Sequence, residues 1–294
     1  ISEYNECNSE QFSQAIEAAK KAQLEWASVG IEKKSNILIN IGNELISKSK
    51  EIGELLSREE GKTLPEGIGE VARAGQQFQY YGAECLRMAG EKIPSTRPGF
   101  QVEITREPIG IIGIISPWNF PIAIPAWKAA PALMCGNAVI LKPASLTPAS
   151  AIALTEIIDK QDLPAGLFNL IIGSGSGIGN QIATNPDIPA ITFTGSVDVG
   201  KTLYADASPL LKKMQMEMGS KNPLVVLDDA DLSTAISCAA NGAYGGTGQK
   251  CTASSRIIVQ EGIYNKFIKG LTEHISKIKV GHALEEGSQM GPAS

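Results

Sequence analysis

The sequence contains little histidine and no closely spaced pair of cysteines. Its two histidines, His274 and His282, cannot form a histidine-rich metal site, and no zinc-type ligand spacing occurs, so we predict no metal. The five cysteines are widely separated and odd in number. This spacing argues against a disulfide framework and fits a reducing compartment.

Long hydrophobic runs and an excess of positive charge are also missing. The most apolar stretch, "IGIIGIISPW", is far shorter than the roughly 18–20 residues of a membrane span, and glycines interrupt it. The first residues, "ISEYNECNSE", are polar and acidic, unlike a signal peptide. The net charge is −5, without a basic run for phosphate backbones. We therefore expect a cytoplasmic protein without membrane or nucleic-acid partners.

The pattern along the chain changes near residue 100. Helical periodicity dominates the first 90 residues, with Ser9 expected as the first N-cap, one long helix ending at Gly61, and another from about Pro65 to Met88. "FQVEITREP" then alternates like a half-exposed strand, and "IGIIGIISP" suits a strand buried on both faces. Further strands are expected at "NAVILKP", "LFNLII", "PAITFTG" and "LVVLDD", with helices at about 122–134, 148–160, 177–184 and 197–206.

This alternation predicts an α/β fold with a mostly parallel sheet covered by helices. Such sheets bind ligands at the carboxyl ends of their strands, and polar or glycine-rich motifs follow several of the strands. "GSGSGIGN" and "FTGSVDVGK" could bring backbone amides to a phosphate, although each could equally be an ordinary turn or helix cap. Lys142 ends a strand in "LKPAS" and could meet a ribose or phosphate, but it could also be a solvated lysine.

Three further residues are candidates for chemistry. Asn119, in "SPWNFP", could hold its amide toward an oxyanion or simply satisfy a turn. Glu217, in "MEMGSKNP", has methionine neighbours that suit a general base, though an exposed strand glutamate is the simpler interpretation. Cys251, in "GQKCTASSR", has polar neighbours and no nearby histidine, so it could be a nucleophile or a thiol on a polar turn.

Taken together, "SPWNFP", "LKPAS", "FTGSVDVGK", "MEMGSKNP" and "GQKC" resemble the motifs of the aldehyde dehydrogenase superfamily in order and separation. The resemblance covers essentially the whole chain. It implies that Cys251 attacks an aldehyde, that Asn119 and the Cys251 backbone N–H hold the oxyanion, and that Glu217 activates water to release the acid. No metal is required.

The resemblance also implies a site for NAD or NADP. Lys142 would bind the adenosine ribose, Gly195 and Ser196 would lie at the pyrophosphate, and Trp118 would line the cleft. The complete set of expected cofactor-binding residues is Ser116, Pro117, Trp118, Lys142, Ser145, Gly175, Gly179, Phe193, Gly195, Ser196, Met218 and Gly219.

Two positions depart from the family pattern. Ser220 replaces the second glycine of "ELGGKNP", which leaves the glutamate in place. Ser145 stands where many NAD-preferring members have a glutamate that repels a 2′-phosphate. We therefore expect NADP⁺ to be accepted alongside NAD⁺.

The expected substrate is a semialdehyde. Two arginines that clamp the carboxylate in succinate-semialdehyde dehydrogenases fall on Trp127 and Gly245, so that clamp is absent. "EITREPIGIIGIISPWNFPIAIPAWK" and "GQKCTASSR" are more similar to α-ketoglutarate semialdehyde (2,5-dioxopentanoate) dehydrogenases. Succinate- and glutarate-semialdehyde dehydrogenases, and a CoA-acylating enzyme, remain alternatives.

The resemblance further implies a domain plan. Residues 1–90 and 109–219 would form a Rossmann-like NAD(P)-binding domain, residues 91–108 part of an oligomerisation arm, and residues 220–294 the first part of an α/β catalytic domain. Family members usually continue beyond "MGPAS", and at full length we expect a homodimer or homotetramer. A chain ending at residue 294 could instead be a non-catalytic NAD(P)-binding fragment.

Overall fold

The computed structural model describes residues 3–294, which form ten α-helices, nine strands and short 3₁₀ and π turns. The strands are β1 (Glu91–Pro94), β2 (Gln101–Ile104), β3 (Ile111–Ile115), β4 (Ala138–Lys142), β5 (Phe168–Leu170), β6 (Ala190–Gly195), β7 (Lys213–Met218), β8 (Pro223–Val226) and β9 (Arg256–Val259). The helices are α1 (Ser9–Ser28), α2 (Ile31–Ser47), α3 (Ser49–Glu60), α4 (Leu64–Cys85), α5 (Ala123–Met134), α6 (Pro148–Asp159), α7 (Asn180–Thr184), α8 (Val197–Ala207), α9 (Leu232–Tyr244) and α10 (Glu261–Ile275). None of these helices is long and apolar enough to span a membrane.

A five-stranded parallel sheet with the order β5-β4-β3-β6-β7 lies at the centre of the larger lobe. Strands β3 and β4 consist mainly of β-branched or other apolar residues and are buried along their whole length, as expected for strands covered on both faces. The chain builds one half of the sheet outward from β3, then returns to β6 on the other side. The order therefore reverses at β3, and a crevice is expected at the carboxyl ends there. The predicted α/β class with a parallel sheet is confirmed.

Several predicted boundaries were wrong. Asn8, not Ser9, caps α1: its side chain accepts from the Gln11 N–H, and the Gln11 side chain accepts from the Asn8 N–H. The long helix expected up to Gly61 is two helices, α2 and α3, which separate at Lys48. Gly61 does end α3, with a left-handed φ of +100°. Strand β7 was missed as a member of the parallel sheet, and strand β1, which forms a separate antiparallel pair with β2, was not predicted.

Two separate hydrophobic clusters lie on either side of the connection between β7 and β8. The larger runs from Phe12 to Ala207 and includes the parallel sheet. The smaller contains Val226 and Phe267 and lies among the parallel pair β8–β9 and the helices α9 and α10. The division at residue 219 stays a prediction, and these two clusters are consistent with it.

The segment after α10 returns to the turn between α3 and α4. The Ala283 carbonyl accepts a hydrogen bond from the Leu64 N–H at 3.0 Å. A Cβ on Gly291 would lie 1.9 Å from the Gly61 carbonyl oxygen, so the two backbones approach as closely as glycine permits. Residues 276–294 are thus attached to the larger lobe.

The contact between α2 and α4 depends on a second pair of glycines. A Cβ on Gly75 would lie 2.6 Å from the Gly42 carbonyl oxygen, and one on Gly42 would lie 2.5 Å from the Gly75 carbonyl oxygen. Gly69, also in α4, has no protein atom within 4 Å of its Cβ position. The helices can therefore stay this close only while positions 42 and 75 lack side chains.

We expect Gly75→Ala to lower the free energy of unfolding by about 1–3 kcal/mol, because the added methyl group forces the helices apart. Gly69→Ala is the matched control and should raise it by about 0.5–1 kcal/mol through helix propensity alone. Urea unfolding of both variants measures the difference. Equal effects of the two substitutions would contradict the close contact.

Candidate active site

The carboxyl edge of the parallel sheet collects nearly all the residues that the sequence motifs single out. Ser116, Pro117, Trp118 and Asn119 follow β3, Lys142 and Ser145 lie at and after β4, and Gly175 and Gly179 follow β5. Phe193, Gly195 and Ser196 lie at the end of β6, and Glu217, Met218 and Gly219 at the end of β7. Cys251 comes from the smaller lobe, on a turn before β9.

The glycine-rich turn after β5 has open space in front of its backbone. Residues 175–179 form a π-helical turn that leads into α7, and the Ser174 hydroxyl accepts from the Gly177 N–H. A Cβ on Gly175 or Gly179 would meet no protein atom within 4 Å, and Gly179 has an ordinary helical φ of −60°. The protein's own packing therefore does not require glycine here, whereas a ligand pressed against the backbone would.

The turn after β6 is tightly packed. The Ser196 hydroxyl caps α8 by accepting from the Val199 N–H at 3.3 Å, as the sequence predicts. A Cβ on Gly195 would lie 2.5 Å from the Phe193 ring, which is buried. Because α8 follows β6 after Ser196 alone, its N-terminus, the positive end of the helix dipole, lies at the carboxyl edge of the sheet.

Two buried polar side chains lie at the ends of the central strands, Ser116 directly after β3 and Lys142 as the last residue of β4. The Ser116 side chain is 4% exposed, and its hydroxyl has no hydrogen-bond partner within residues 3–294. Lys142 is also buried; its ammonium donates to the Pro143 carbonyl at 2.9 Å, and burial lowers its pKa. Each side chain keeps hydrogen-bonding capacity for a polar ligand, since a hydroxyl and an ammonium can each make several bonds.

The Asn119 side chain joins the two lobes. Its amide nitrogen donates to the Gln249 carbonyl at 2.8 Å, two residues before Cys251. From the other side, the Asn222 amide donates to the Cys251 carbonyl at 2.7 Å. An amide NH₂ has two hydrogens, so Asn119 keeps one for another acceptor.

The turn that precedes Cys251 has an unusual backbone. Three successive residues adopt left-handed conformations: Gly246 with φ +61°, Thr247 with φ +57° and Gly248 with φ +69°. For a β-branched threonine this conformation costs on the order of 1–3 kcal/mol. Cys251 itself is exposed. Strain of this kind occurs at functional sites when the surrounding structure holds it in place.

A buried ion pair that the sequence did not suggest holds the Asn119 loop. The Lys62 ammonium lies 2.7 Å from Glu70 Oε2, with both side chains at most 7% exposed. It also donates to the Asn119 carbonyl at 2.8 Å and lies 4.0 Å from the centre of the Phe120 ring. Glu70 Oε1 accepts from the backbone N–H groups of Ile122 and Ala123, at the start of α5. The pair therefore fixes the loop from both ends.

Glu217 lies on a polar face and not among its methionine neighbours. Residues alternate sides along β7, so Met216 and Met218 turn inward toward α8 whereas Glu217 is exposed. Gln215 shares the face of Glu217 and donates to Glu217 Oε1 at 2.9 Å. Glu217 is therefore the exposed strand glutamate of the simpler interpretation and lacks the apolar surroundings of the alternative, and its hydrogen bond connects it to Gln215 and not to the Cys251 turn.

Lys128 approaches the same polar face from α5. Its ammonium donates to Thr192 Oγ1 at 2.6 Å and to Gln215 Oε1 at 3.0 Å. Burial lowers the pKa of Lys128 to about 8, although the Glu217 charge acts in the opposite direction. A lysine with this pKa can gain or lose a proton near neutral pH.

Sequence reasoning missed Lys62, Glu70 and Lys128. Each is a charged residue on a helix or turn that otherwise shows ordinary amphipathic patterning, so only the tertiary structure shows its burial. The one available signal was the motif "WNFPIAIPAWK", which contains Lys128. No group of three potential metal ligands was found among residues 3–294.

The sequence model of the aldehyde dehydrogenase family matches residues 1–294. The chain is 42% identical over 283 residues to an alpha-ketoglutaric semialdehyde dehydrogenase of Bacillus subtilis, an alignment that covers 96% of this chain and 58% of that protein. It is 36% identical over 278 residues to a succinate-semialdehyde dehydrogenase [NADP(+)] of Escherichia coli, an alignment that covers 95% of this chain and 58% of that protein.

Two solved structures have the same fold. A succinate-semialdehyde dehydrogenase of Burkholderia pseudomallei has a TM-score of 0.98 and 34% identity, covering 100% of this chain and 61% of that chain. A betaine aldehyde dehydrogenase of Staphylococcus aureus in complex with NAD⁺ has a TM-score of 0.96 and 33% identity, covering 98% and 58%. The chain thus spans about three fifths of the length of these proteins.

The energy of the buried pair can be measured by a double-mutant cycle. We expect Lys62→Met and Glu70→Gln each to cost about 3–5 kcal/mol of unfolding free energy, because each leaves a buried polar partner unsatisfied. The double variant should cost less than the sum of the two. Urea unfolding gives the free energies of unfolding of the wild type, the two single variants and the double variant.

Arg58→Met, which removes the exposed pair with Glu54, is the control and should cost under about 1 kcal/mol. Strictly additive losses at positions 62 and 70 would contradict the pairing.

The lowered pKa of Lys128 predicts a pH dependence of stability. Between about pH 8 and the ordinary value of 10.5, the unfolded chain keeps a proton that the folded chain has released. The contribution of Lys128 to stability therefore rises with pH across this interval and is lowest below pH 8. Relative to that of Lys128→Met, the free energy of unfolding of the wild type should increase by on the order of 2 kcal/mol between pH 7.5 and 10.5.

Denaturant unfolding at several pH values tests this prediction. Lys266→Met, on the exposed side of α10, corrects for the general effect of removing a lysine. A constant stability difference between wild type and Lys128→Met over the whole interval would show that burial does not shift this pKa.

Proposed function

Because the chain belongs to the aldehyde dehydrogenase family, we propose that the protein oxidises an aldehyde to a carboxylic acid with NAD⁺ or NADP⁺, through a covalent adduct on Cys251. One observation carries the proposal: the Asn119 amide is bonded to the backbone of the turn that presents Cys251. An exposed thiol and an amide donor with a free hydrogen are what a cysteine-dependent acyl transfer requires.

The residues can be given successive roles. The Cys251 thiolate attacks the aldehyde carbon, and the remaining N–H of Asn119 and the Cys251 backbone N–H donate to the oxyanion of the thiohemiacetal. Loss of hydride converts this adduct to a thioester. Glu217 then takes a proton from water, the hydroxide adds to the thioester carbon, and the tetrahedral adduct collapses to expel the thiolate and release the acid. The same chemistry needs no metal.

The crevice at the carboxyl edge fits a dinucleotide. The open space in front of Gly175 and Gly179 leaves room for a phosphate-bearing ligand, and the Ser116 hydroxyl, without a partner among residues 3–294, offers a further hydrogen-bonding group at the same edge of the sheet. Lys142 would hold the adenosine ribose, and Gly195 and Ser196 the pyrophosphate at the N-terminus of α8. When bound, the nicotinamide accepts the hydride.

The remaining cofactor contacts belong to the proposal. They are Pro117, Trp118, Ser145, Phe193, Met218 and Gly219. Ser145 is exposed and carries no negative charge, so it does not repel a 2′-phosphate. We therefore propose that NAD⁺ and NADP⁺ are both accepted.

We propose α-ketoglutarate semialdehyde as the substrate, with α-ketoglutarate as the product. The similarity to the Bacillus subtilis enzyme supports it, whereas the similarity to succinate-semialdehyde dehydrogenases makes succinate or glutarate semialdehyde the alternative. Release to CoA in place of water is less well supported, because Glu217 provides a base for hydrolysis.

The domain plan and assembly are proposals as well. Residues 1–90 and 109–219 would bind the cofactor, and residues 220–294 would contribute the nucleophile. The hairpin β1–β2 within residues 91–108 exposes Phe100 and Ile104 to 65% and 47%. Such an apolar surface suits the oligomerisation arm of a cytoplasmic homodimer or homotetramer.

Steady-state assays with α-ketoglutarate, succinic and glutaric semialdehydes, each with NAD⁺ and NADP⁺, test the function on this chain and on the protein at its natural length. Cys251→Ala should abolish turnover. Glu217→Gln should give a burst of reduced cofactor followed by slow turnover, because the thioester accumulates. Binding of NAD(P)⁺ without turnover in both forms would identify a non-catalytic binding protein, and acyl-CoA formation would identify the CoA-dependent alternative.

A further inference from the structure

A cavity of about 250 Å³ opens beside the turn that presents Cys251. It lies between α4, α5 and residues 246–250. Its walls include Arg73 on α4, Phe120 just before α5 and Trp127 on α5. Gln249 and Lys250, which immediately precede Cys251, also line it. Cys251 is not itself in the wall, but Gln249 and Lys250 directly precede it, so the part of a substrate at Cys251 that extends past Lys250 would enter this cavity.

Three carboxylates line the cavity, and each already has partners. Glu70 is paired with Lys62. Glu66 Oε2 accepts from the Thr63 N–H and hydroxyl at 3.1 and 2.8 Å. Glu60 accepts from the Lys62 N–H at 2.9 Å, and burial raises the pKa of its carboxyl group.

Two of the cations in the cavity are not paired in this way. Within residues 3–294, neither Arg73 nor Lys250 makes a salt bridge. Arg73 is exposed, and its Nη1 donates only to Gln76 Oε1 on the same helix, at 3.3 Å. Its guanidinium therefore retains donors in the fork geometry that matches a carboxylate.

The Lys250 ammonium lies where two glycines make room for it. It is 3.5 Å from the Cβ position of Gly245 and 3.3 Å from that of Gly246. Any side chain at position 246 would meet Lys250 Cε at 2.6 Å. The positive charge beside Gly245 is thus supplied by a side chain from position 250.

We propose that Arg73 and Lys250 bind the terminal carboxylate of a semialdehyde substrate, while Phe120 and Trp127 contact its methylene groups. This inference rests on the proposed function and defines its substrate class as short aldehydes with an anionic end. Trp127, where one of the two absent clamp arginines would stand, lines the same cavity as these two cations, and Gly245, the other such position, lies next to the Lys250 ammonium. The clamp is therefore replaced by cations on neighbouring positions, one from each lobe.

The test compares three small aldehydes of different charge: succinic semialdehyde, butanal and betaine aldehyde. The quantity measured is the ratio of kcat/KM for the anionic aldehyde to kcat/KM for butanal, with the protein at its natural length. We expect Arg73→Met and Lys250→Met each to lower this ratio about tenfold by removing a charge-assisted hydrogen bond, with kcat/KM for butanal changing less.

Two further variants sharpen the assignment. Arg73→Lys keeps the charge and should retain part of the ratio, whereas Arg73→Glu should lower it further and favour the cationic betaine aldehyde. Lys266→Met, on α10, is the matched control and should leave all three values unchanged. Raising the salt concentration should lower the ratio of the wild type more than that of Arg73→Met.

Calorimetric titration with glutarate separates this inference from the proposed function, because it requires no turnover. Weaker glutarate binding by Arg73→Met and Lys250→Met than by the wild type supports the site even if no aldehyde is oxidised. Wild-type turnover with an anionic-to-butanal ratio that both variants leave unchanged overturns the inference while leaving the dehydrogenase function intact. Equal glutarate binding by all forms also overturns it.

Discussion

The pairing of Lys62 with Glu70 is the interaction on which the candidate site most depends. It places a buried charge pair between the α3–α4 turn and the loop after β3, and each partner uses its remaining capacity on that loop. A buried ion pair gives little net stability compared with apolar packing, but it tolerates very few geometries. The Asn119 backbone is therefore held in one position, and its side chain can bond to the turn of the other lobe.

The parallel sheet explains why residues so far apart in sequence meet. All five strands point the same way, so the turns after them lie along one edge, and the reversal of strand order at β3 opens a crevice between them. Helices supply two further charged residues of the candidate site. Helix α5 brings Lys128 to the polar face of β7, and α4 brings Arg73 to the cavity near Cys251. Cys251 and Lys250 come from the smaller lobe, so catalysis as proposed requires both lobes to keep their relative position.

Much of this arrangement could be predicted from the sequence. The apolar runs of β3 and β4 and the motifs at their ends identified the fold class and the candidate residues. Strand β7 was missed because "KMQMEM" alternates polar and apolar residues at the edge of the sheet, a pattern weaker than a buried run. The methionines next to Glu217 in sequence suggested apolar surroundings for its carboxyl group. They lie on the opposite face of the strand, because side chains alternate between the two faces.

Other features could not have been predicted because they depend on tertiary contacts. Nothing local distinguishes Lys62 and Glu70 from the solvated charges of nearby helices, and Lys48 has no breaker residue to mark the end of α2. The segment after α10 likewise carries no pattern that predicts its contacts with Leu64 and Gly61.

The attachment of this segment beside the Lys62 turn has a mechanical consequence. The lobes are connected twice, once by the chain between β7 and β8 and once by this return segment, so a hinge at the first connection cannot open freely. Opening of the cleft would have to be a rotation about the line joining the two attachments, because any other motion would break the contacts of the return segment with Leu64 and Gly61.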